Sequence, residues 1–259
     1  MSASKLIKSH LGADGCGLGM LESLFVTDKP RLILASNSPR RRQLLALTGW
    51  QFTVSAANVD ESEFANESPA DYVLRLAETK ARAVAVNEKM DGEQIILAAD
   101  TTVVDGKDIL GKPADNPEAV AMLKRLRGHT HQVYTGIALF RPRGTRSTPQ
   151  NDSVDGLLLK DLCVTDVPMR DYSDEEIHAY VQTGDPLDKA GAYAIQHPEF
   201  HPVAHMDGCF ASVMGLPVCH VIRLMRRMDI QPATDFFRSC ETLLEYQCPV
   251  SNAILRGEM

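Results

Sequence analysis

Short apolar runs alternate along this chain with segments of helical period, and that order predicts an α/β fold built on a mixed sheet flanked by helices. Arg31-Leu32-Ile33-Leu34-Ala35 reads as a buried strand ended by the turn-forming set Ser36-Asn37-Ser38-Pro39. Arg40 to Gly49 then reads as a helix with Leu44, Leu45 and Leu47 on one side, and Phe52-Thr53-Val54 as a further strand. Pro69 opens a helix from Ala70 to about Asn87, with Tyr72, Leu76, Lys80 and Ala83 at helical spacing. Ile95-Ile96-Leu97-Ala98-Ala99 predicts a strand buried on both faces and ending at Asp100.

Val103-Val104, the turn Asp105-Gly106 and Ile109-Leu110 predict a hairpin, and Pro117 starts a helix to Leu126 capped by Gly128. His131 to Phe140 and Leu157 to Val167 read as a hairpin whose connection, 141–155, is a polar excursion rich in Pro, Gly, Ser and Thr. Ser173-Asp174-Glu175-Glu176 has the form of a capping box opening a helix that ends near Gly184, and a last helix runs from about Pro217 to Met228. Hairpins and crossovers together require both parallel and antiparallel pairing, hence the mixed sheet. Residues 1–29 read as a loosely ordered extension in which Met20 offers an alternative translation start, and 229–259 as a C-terminal extension around a 30–228 domain.

Composition narrows the function classes. Of 259 residues, 44% are hydrophobic and 24% charged, as in a globular protein, and 27 basic against 34 acidic residues leave a formal charge of -7. A broad nucleic-acid surface is basic, so any anion site here must be local. Six cysteines (Cys16, Cys163, Cys209, Cys219, Cys240, Cys248) form no C-x-x-C pair, which points to a reducing cytoplasm rather than a disulfide framework or a zinc site. The N-terminal segment is too polar for a secretory signal, and no apolar stretch approaches the roughly 20 residues that span a bilayer.

Asp100 is the acid placed most suggestively. The crevice beyond the carboxyl ends of buried strands is where open α/β sheets bind ligands, although a turn or cap residue is the competing reading of this segment alone. Ser36 to Arg41 joins a strand to a helix N-terminus, bringing hydroxyls, free amides and guanidinium forks together as a phosphate clamp, or else as an ordinary N-cap beside solvated arginines. Lys80 reads first as a solvated helix lysine. Lys112, between Gly111 and Pro113, is held more rigidly and suits phosphate as a point charge. Asp188 and Lys189 sit beside the small residues Ala190-Gly191-Ala192, and Gln196 carries an amide able to read a base or hold a phosphate. Glu61 and Asp100 are hard oxygen donors that could hold Mg²⁺ bridged to a polyphosphate. His197, His201 and His205 are four apart, but Pro198 and Pro202 break the helix that a zinc site on one face would need, and His131 reads as structural.

Taken in order, Ala35-Ser36-Asn37-Ser38-Pro39-Arg40-Arg41, Tyr72 to Ala81, Ala98-Ala99-Asp100-Thr101, Gly111-Lys112-Pro113, His131 to Gly136 and Asp188 to Tyr193 resemble the Maf family, the septum-formation-inhibitor-like nucleoside triphosphate pyrophosphatases. The resemblance runs from about Arg31 to Arg226. It implies a fold related to the inosine triphosphate pyrophosphatases with two lobes around a cleft, a homodimer, a divalent Mg²⁺ or Mn²⁺, and hydrolysis of a nucleoside triphosphate to monophosphate and pyrophosphate. It implies Asp100 as proton acceptor or metal-binding acid, and Ser38, Arg41, Glu61, Lys80 and Lys112 around phosphates and metal. Arg40, Thr101 and Gln196 match the positions tied to substrate choice in the dTTP/UTP subgroup. One departure stands out: Ala194-Ile195-Gln196-His197-Pro198 replaces the family's Gly-Ile-Gln-Gly and removes two flexible positions beside the base pocket. The rival readings are a non-catalytic regulator of cell division that senses nucleotides or binds partners, and a nucleic-acid binder using Arg40 to Arg42, which the acidic charge opposes.

Overall fold

The computed structural model describes residues 30–56, 58–87, 93–143 and 154–258. Its centre is a six-stranded mixed sheet in the order β2-β1-β3-β5-β6, with β4 paired to β3. Strand β1 (Arg31–Leu34) runs parallel to β2 (Phe52–Val54) and to β3 (Gln94–Asp105). Strands β4 (Asp108–Leu110) and β5 (Thr130–Pro142) pair antiparallel with β3, and β6 (Gly156–Pro168) pairs antiparallel with β5. The parallel part comes from the crossover through α1 (Pro39–Ala46) and α2 (Pro69–Asn87), the antiparallel part from hairpins.

Apolar layers cover both faces. Under α2, Ala77, Ala81, Val84 and Ala85 pack on Ile33, Ile96, Ala98, Ala138 and Phe140. The opposite face carries the larger core, where Leu97, Ala99, Val103 and Ile137 meet α3 (Asn116–Leu126), α4 (Asp174–Gln182) and α6 (Val218–Arg226). Local chemistry explains the helix starts. Ser38 accepts from the Arg41 N–H with Pro39 in the first turn, Asp115 caps α3, and both halves of the Ser173/Glu176 capping box form.

Three expectations change. Strand β3 does not end at Asp100 but continues to Asp105, because β5 pairs with it from Ile96 to Val104 and gives the polar Asp100-Thr101-Thr102 a backbone partner throughout. The buried stripe of α2 is Val73, Leu76, Ala77, Ala81, Val84 and Ala85, turned slightly from the expected one, so Tyr72 and Lys80 lie at its margin. Finally, 217–228 does not hold the last helix: a short α5 (Phe210–Val213) precedes α6, while α7 (Phe236–Leu244) and α8 (Ser251–Arg256) follow it and pack on the core through Phe236 and Ile254. The 1–29 segment and most of the 141–155 excursion lie outside the described residues.

Candidate active site

On one flank β3 pairs with β1 through Leu97 and with β4 only from Val103, so residues 98–102 face a notch left between those two strands. Asp100 sits in that notch and is buried. Strand alternation sends its side chain to the α2 face and that of Thr101 to the other. Lys80, arriving from α2, places its ammonium 2.5 Å from Asp100 Oδ1 and 2.6 Å from Glu61 Oε1. The solvated reading of Lys80 therefore fails: a cation clamped between two carboxylates is not a free surface lysine.

Glu61 reaches the notch on a loop pinned to α2. Tyr72 Oη donates to the Glu61 carbonyl at 2.9 Å, Arg75 donates to the Ser62 carbonyl at 3.0 Å, and Arg75 grips Glu67 with two bonds of 2.6 Å. Burial pushes the Glu61 carboxyl up, but bonding and charge from Lys80, with Lys112 and Arg41 adding theirs, outweigh it and hold it below the usual glutamate range. Burial, then the charges of Asp100 and Glu61, push the Tyr72 hydroxyl up to about 12.

Arg41 approaches from the α1 side. Its Nε donates to the Gly215 carbonyl at 2.8 Å, Nη2 to Thr101 Oγ1 at 3.2 Å and Nη1 to Ser36 Oγ at 3.4 Å. Burial lowers the guanidinium's pKa, and the Asp100 carboxylate opposes that shift. Arg40, the neighbouring cation, adds a smaller lowering.

The remaining expected residues divide. Ser38 caps α1, and its own N–H bonds Ser36 Oγ at 3.2 Å, which shapes the clamp loop. Lys189 is buried with its ammonium on the Asp185 carbonyl at 2.6 Å, Asp185 Oδ1 at 2.9 Å and Asp188 Oδ1 at 2.5 Å, so this cluster satisfies itself instead of joining Lys80 and Asp100. It nevertheless braces the Lys112 loop, since the Gly191 N–H donates to the Gly111 carbonyl at 3.0 Å and a Cβ on Gly191 would fall 2.8 Å from Val103. Gln196 is exposed on the turn beyond. His131 is buried, bonded to Tyr193 Oη at 2.8 Å, and burial pushes it down to about 4, which suits a neutral structural imidazole. Thr135, Ser212 and Gly215, all part of the Arg41 environment, were not singled out as site residues. Only the position of Gly215 just before Leu216-Pro217 and a helix start signals a turn there.

Glu61 and Asp100 already share one cation, and two hard oxygen donors are what Mg²⁺ or Mn²⁺ takes from a protein when phosphate oxygens and water complete its shell. The donor set fits such an ion. Among the described residues no group of three His, Cys, Asp or Glu is placed to hold a metal, so the substrate would supply the other ligands.

Known proteins similar to this chain were identified by sequence and by structure. A dTTP/UTP pyrophosphatase of Hahella chejuensis is 41% identical over 205 residues, 79% of this chain and 96% of that protein. One from Geobacter sulfurreducens is 45% identical over 202 residues, 78% and 98% of the two chains. A crystal structure titled nucleoside-triphosphatase / dITP/XTP pyrophosphatase, from Mycobacterium abscessus, superposes with a TM-score of 0.30 at 13% identity over 55% of this chain and 75% of that one. The family model described as Maf-like protein matches residues 31–228, from β1 to the end of α6, and the chain belongs to the Maf family.

Proposed function

We propose that this protein hydrolyses dTTP and UTP, with modified pyrimidine triphosphates as further candidates, to the monophosphate and pyrophosphate. The observation that carries the proposal is Lys80 held between Glu61 and Asp100 in the notch of β3, with Arg41 bonded to the adjacent Thr101. Water attacks the α-phosphorus in line and the bond to the oxygen bridging to the β-phosphorus breaks, while Asp100 accepts the proton of the attacking water. Lys80, Lys112 and Arg41 neutralise the charge that builds on the leaving pyrophosphate. A Mg²⁺ or Mn²⁺ at Glu61 and Asp100 would add polarisation of the phosphoryl oxygens. Arg40, Thr101 and Gln196 form the specificity set, and Ser38 holds the clamp loop. Asp188 and Lys189 contribute at the substrate side through the Lys112 loop that their segment braces.

Residues 30–228 form the catalytic domain, to which 229–258 is an accessory layer, and the assembly is a homodimer, to be checked by sedimentation. Free thiols at all five described cysteines support a cytoplasmic setting, and no described helix is long and apolar enough to cross a membrane. The test is pyrophosphate release against dTTP, UTP, CTP and 7-methyl-GTP. Release from the first two should dominate, and Asp100→Asn should abolish it with the fold intact. Turnover by Asp100→Asn at the parent rate overturns the assignment.

A further inference from the structure

Thr135 stands opposite Thr101 in the β3–β5 register and is completely buried. Its Oγ1 lies 2.9 Å from the Ser212 carbonyl and 3.0 Å from Thr101 Oγ1. A carbonyl oxygen only accepts, so the single Thr135 proton is committed to Ser212, and toward Thr101 the Thr135 oxygen can only accept. The Thr101 proton therefore points at Thr135. That leaves the Thr101 lone pairs for the Arg41 Nη2–H at 3.2 Å. Reversing any one hydroxyl would set two donors, or two acceptors, against each other beside the fully buried Thr135.

The same turn closes the other end of the chain. Ser212 also accepts the Gly215 N–H at 2.9 Å, and the Gly215 carbonyl accepts Arg41 Nε–H at 2.8 Å. Gly215 has φ +106°, and a Cβ there would fall 3.3 Å from Arg41 Nε and 3.4 Å from Thr101 Oγ1, so glycine is what lets the turn meet the guanidinium. Three of the five guanidinium N–H groups are thus committed to Gly215, Thr101 and Ser36, and two remain for an anion.

From this geometry we infer that Thr135 is a positioning residue for the anion site: it fixes the direction of a relay running from Arg41 through Thr101 to the Ser212 carbonyl, and so sets the orientation in which Arg41 meets a phosphate. Thr101 then offers substrate no proton of its own, and its influence on substrate passes through Arg41. The inference rests on the reading of Arg41 as a phosphate ligand.

The experiment is a calorimetric titration of the full-length protein with inorganic tripolyphosphate and Mg²⁺, in the parent, Thr135→Val, Thr135→Ser, Arg41→Ala and the Thr135→Val/Arg41→Ala double variant, with thermal melts alongside. Thr135→Val should weaken binding up to about tenfold, the net size of one hydrogen bond. Thr135→Ser keeps the hydroxyl and should stay within about twofold, and the double variant should bind like Arg41→Ala alone. Additive losses in the double variant, or a serine variant as weak as the valine one, overturn the inference. Should Thr135→Val fail to fold, Thr101→Val cuts the same relay one link nearer the surface and enters the same cycle with the same outcomes. If the parent binds no tripolyphosphate, the phosphate-site reading itself falls; if it binds but the cycle is additive, only the relay does.

Discussion

Gly136 offers a direct test of how packing controls the site. It pairs with Asp100 across β3 and β5, and α2 lies so close above it that a Cβ would fall 2.6 Å from the carbonyl carbon and oxygen of Val73 and 2.8 Å from the Leu74 nitrogen. These are backbone atoms and have no rotamer to yield. Relieving the contact from 2.6 to 3.4 Å, ordinary van der Waals distance, requires α2 to move away by about 0.8 Å. Val73, Ala77, Lys80 and Val84 share that side of the helix, so the same movement pulls Lys80 from bonds of 2.5 Å to Asp100 and 2.6 Å to Glu61. Overpacking of this kind costs about 1–3 kcal/mol, or a melting temperature lower by roughly 2–10 °C in a chain of this size. A displacement near 1 Å in a positioned group costs about a hundredfold in rate. Gly136→Ala should therefore lower kcat/KM for dTTP far more than its loss of stability explains, at a temperature where circular dichroism shows it folded. An alanine variant with parental melting and turnover refutes the reasoning.

Replacing Lys80 by Met leaves Glu61 and Asp100 facing one another without their shared cation; pyrophosphate release should drop about a hundredfold or more with helix content unchanged, and a variant within twofold of the parent contradicts the clamp. His131 resists protonation in the fold until about pH 4, whereas an unfolded histidine takes a proton near 6.5. Its neutral burial is fully compatible with folding above the higher value and costs progressively more as pH falls to the lower one, about 3 kcal/mol across the window. Urea midpoints at pH 7 and pH 4.5 should then differ more for the parent than for His131→Gln, and equal slopes would exclude this histidine as the cause. Deleting residues after Met228 strips Phe236, Phe237, Leu244 and Tyr246 from Cys209, Phe210, Val218 and Cys219, along with the Trp50–Gln231 bond at 2.9 Å and the Thr234–Leu47 bond at 2.6 Å. The shortened chain should melt earlier and bind a hydrophobic dye; unchanged behaviour would mean that the extension carries no stability.

Local rules were enough for much of the framework. Ser38-Pro39 and Ser173 with Glu176 announce helix starts because these caps are satisfied by neighbours in sequence, and the runs at 31–35 and 95–99 announce buried strands because both faces are covered. The 3.6-residue period of α2 and the hairpin at Asp105-Gly106 are legible for the same reason. The family resemblance carried by the motifs was what gathered Glu61, Lys80, Asp100, Arg41 and Lys112 as one candidate set. What short-range pattern could not supply was the continuation of β3 through Asp100, since a polar stretch becomes strand only when β5 pairs with it, 34 residues away in the case of Thr101 and Thr135. Nor could it set the partners of individual side chains. Lys189 has the same charge as Lys80, yet one closes on its own turn while the other bridges two carboxylates, because burial forces each ammonium onto whichever acceptors the backbone brings within reach. The identity of the chemical groups was written in the sequence; their distances, proton directions and division between the two faces of β3 were decided by strand pairing and close packing, which depend on residues far apart in the chain.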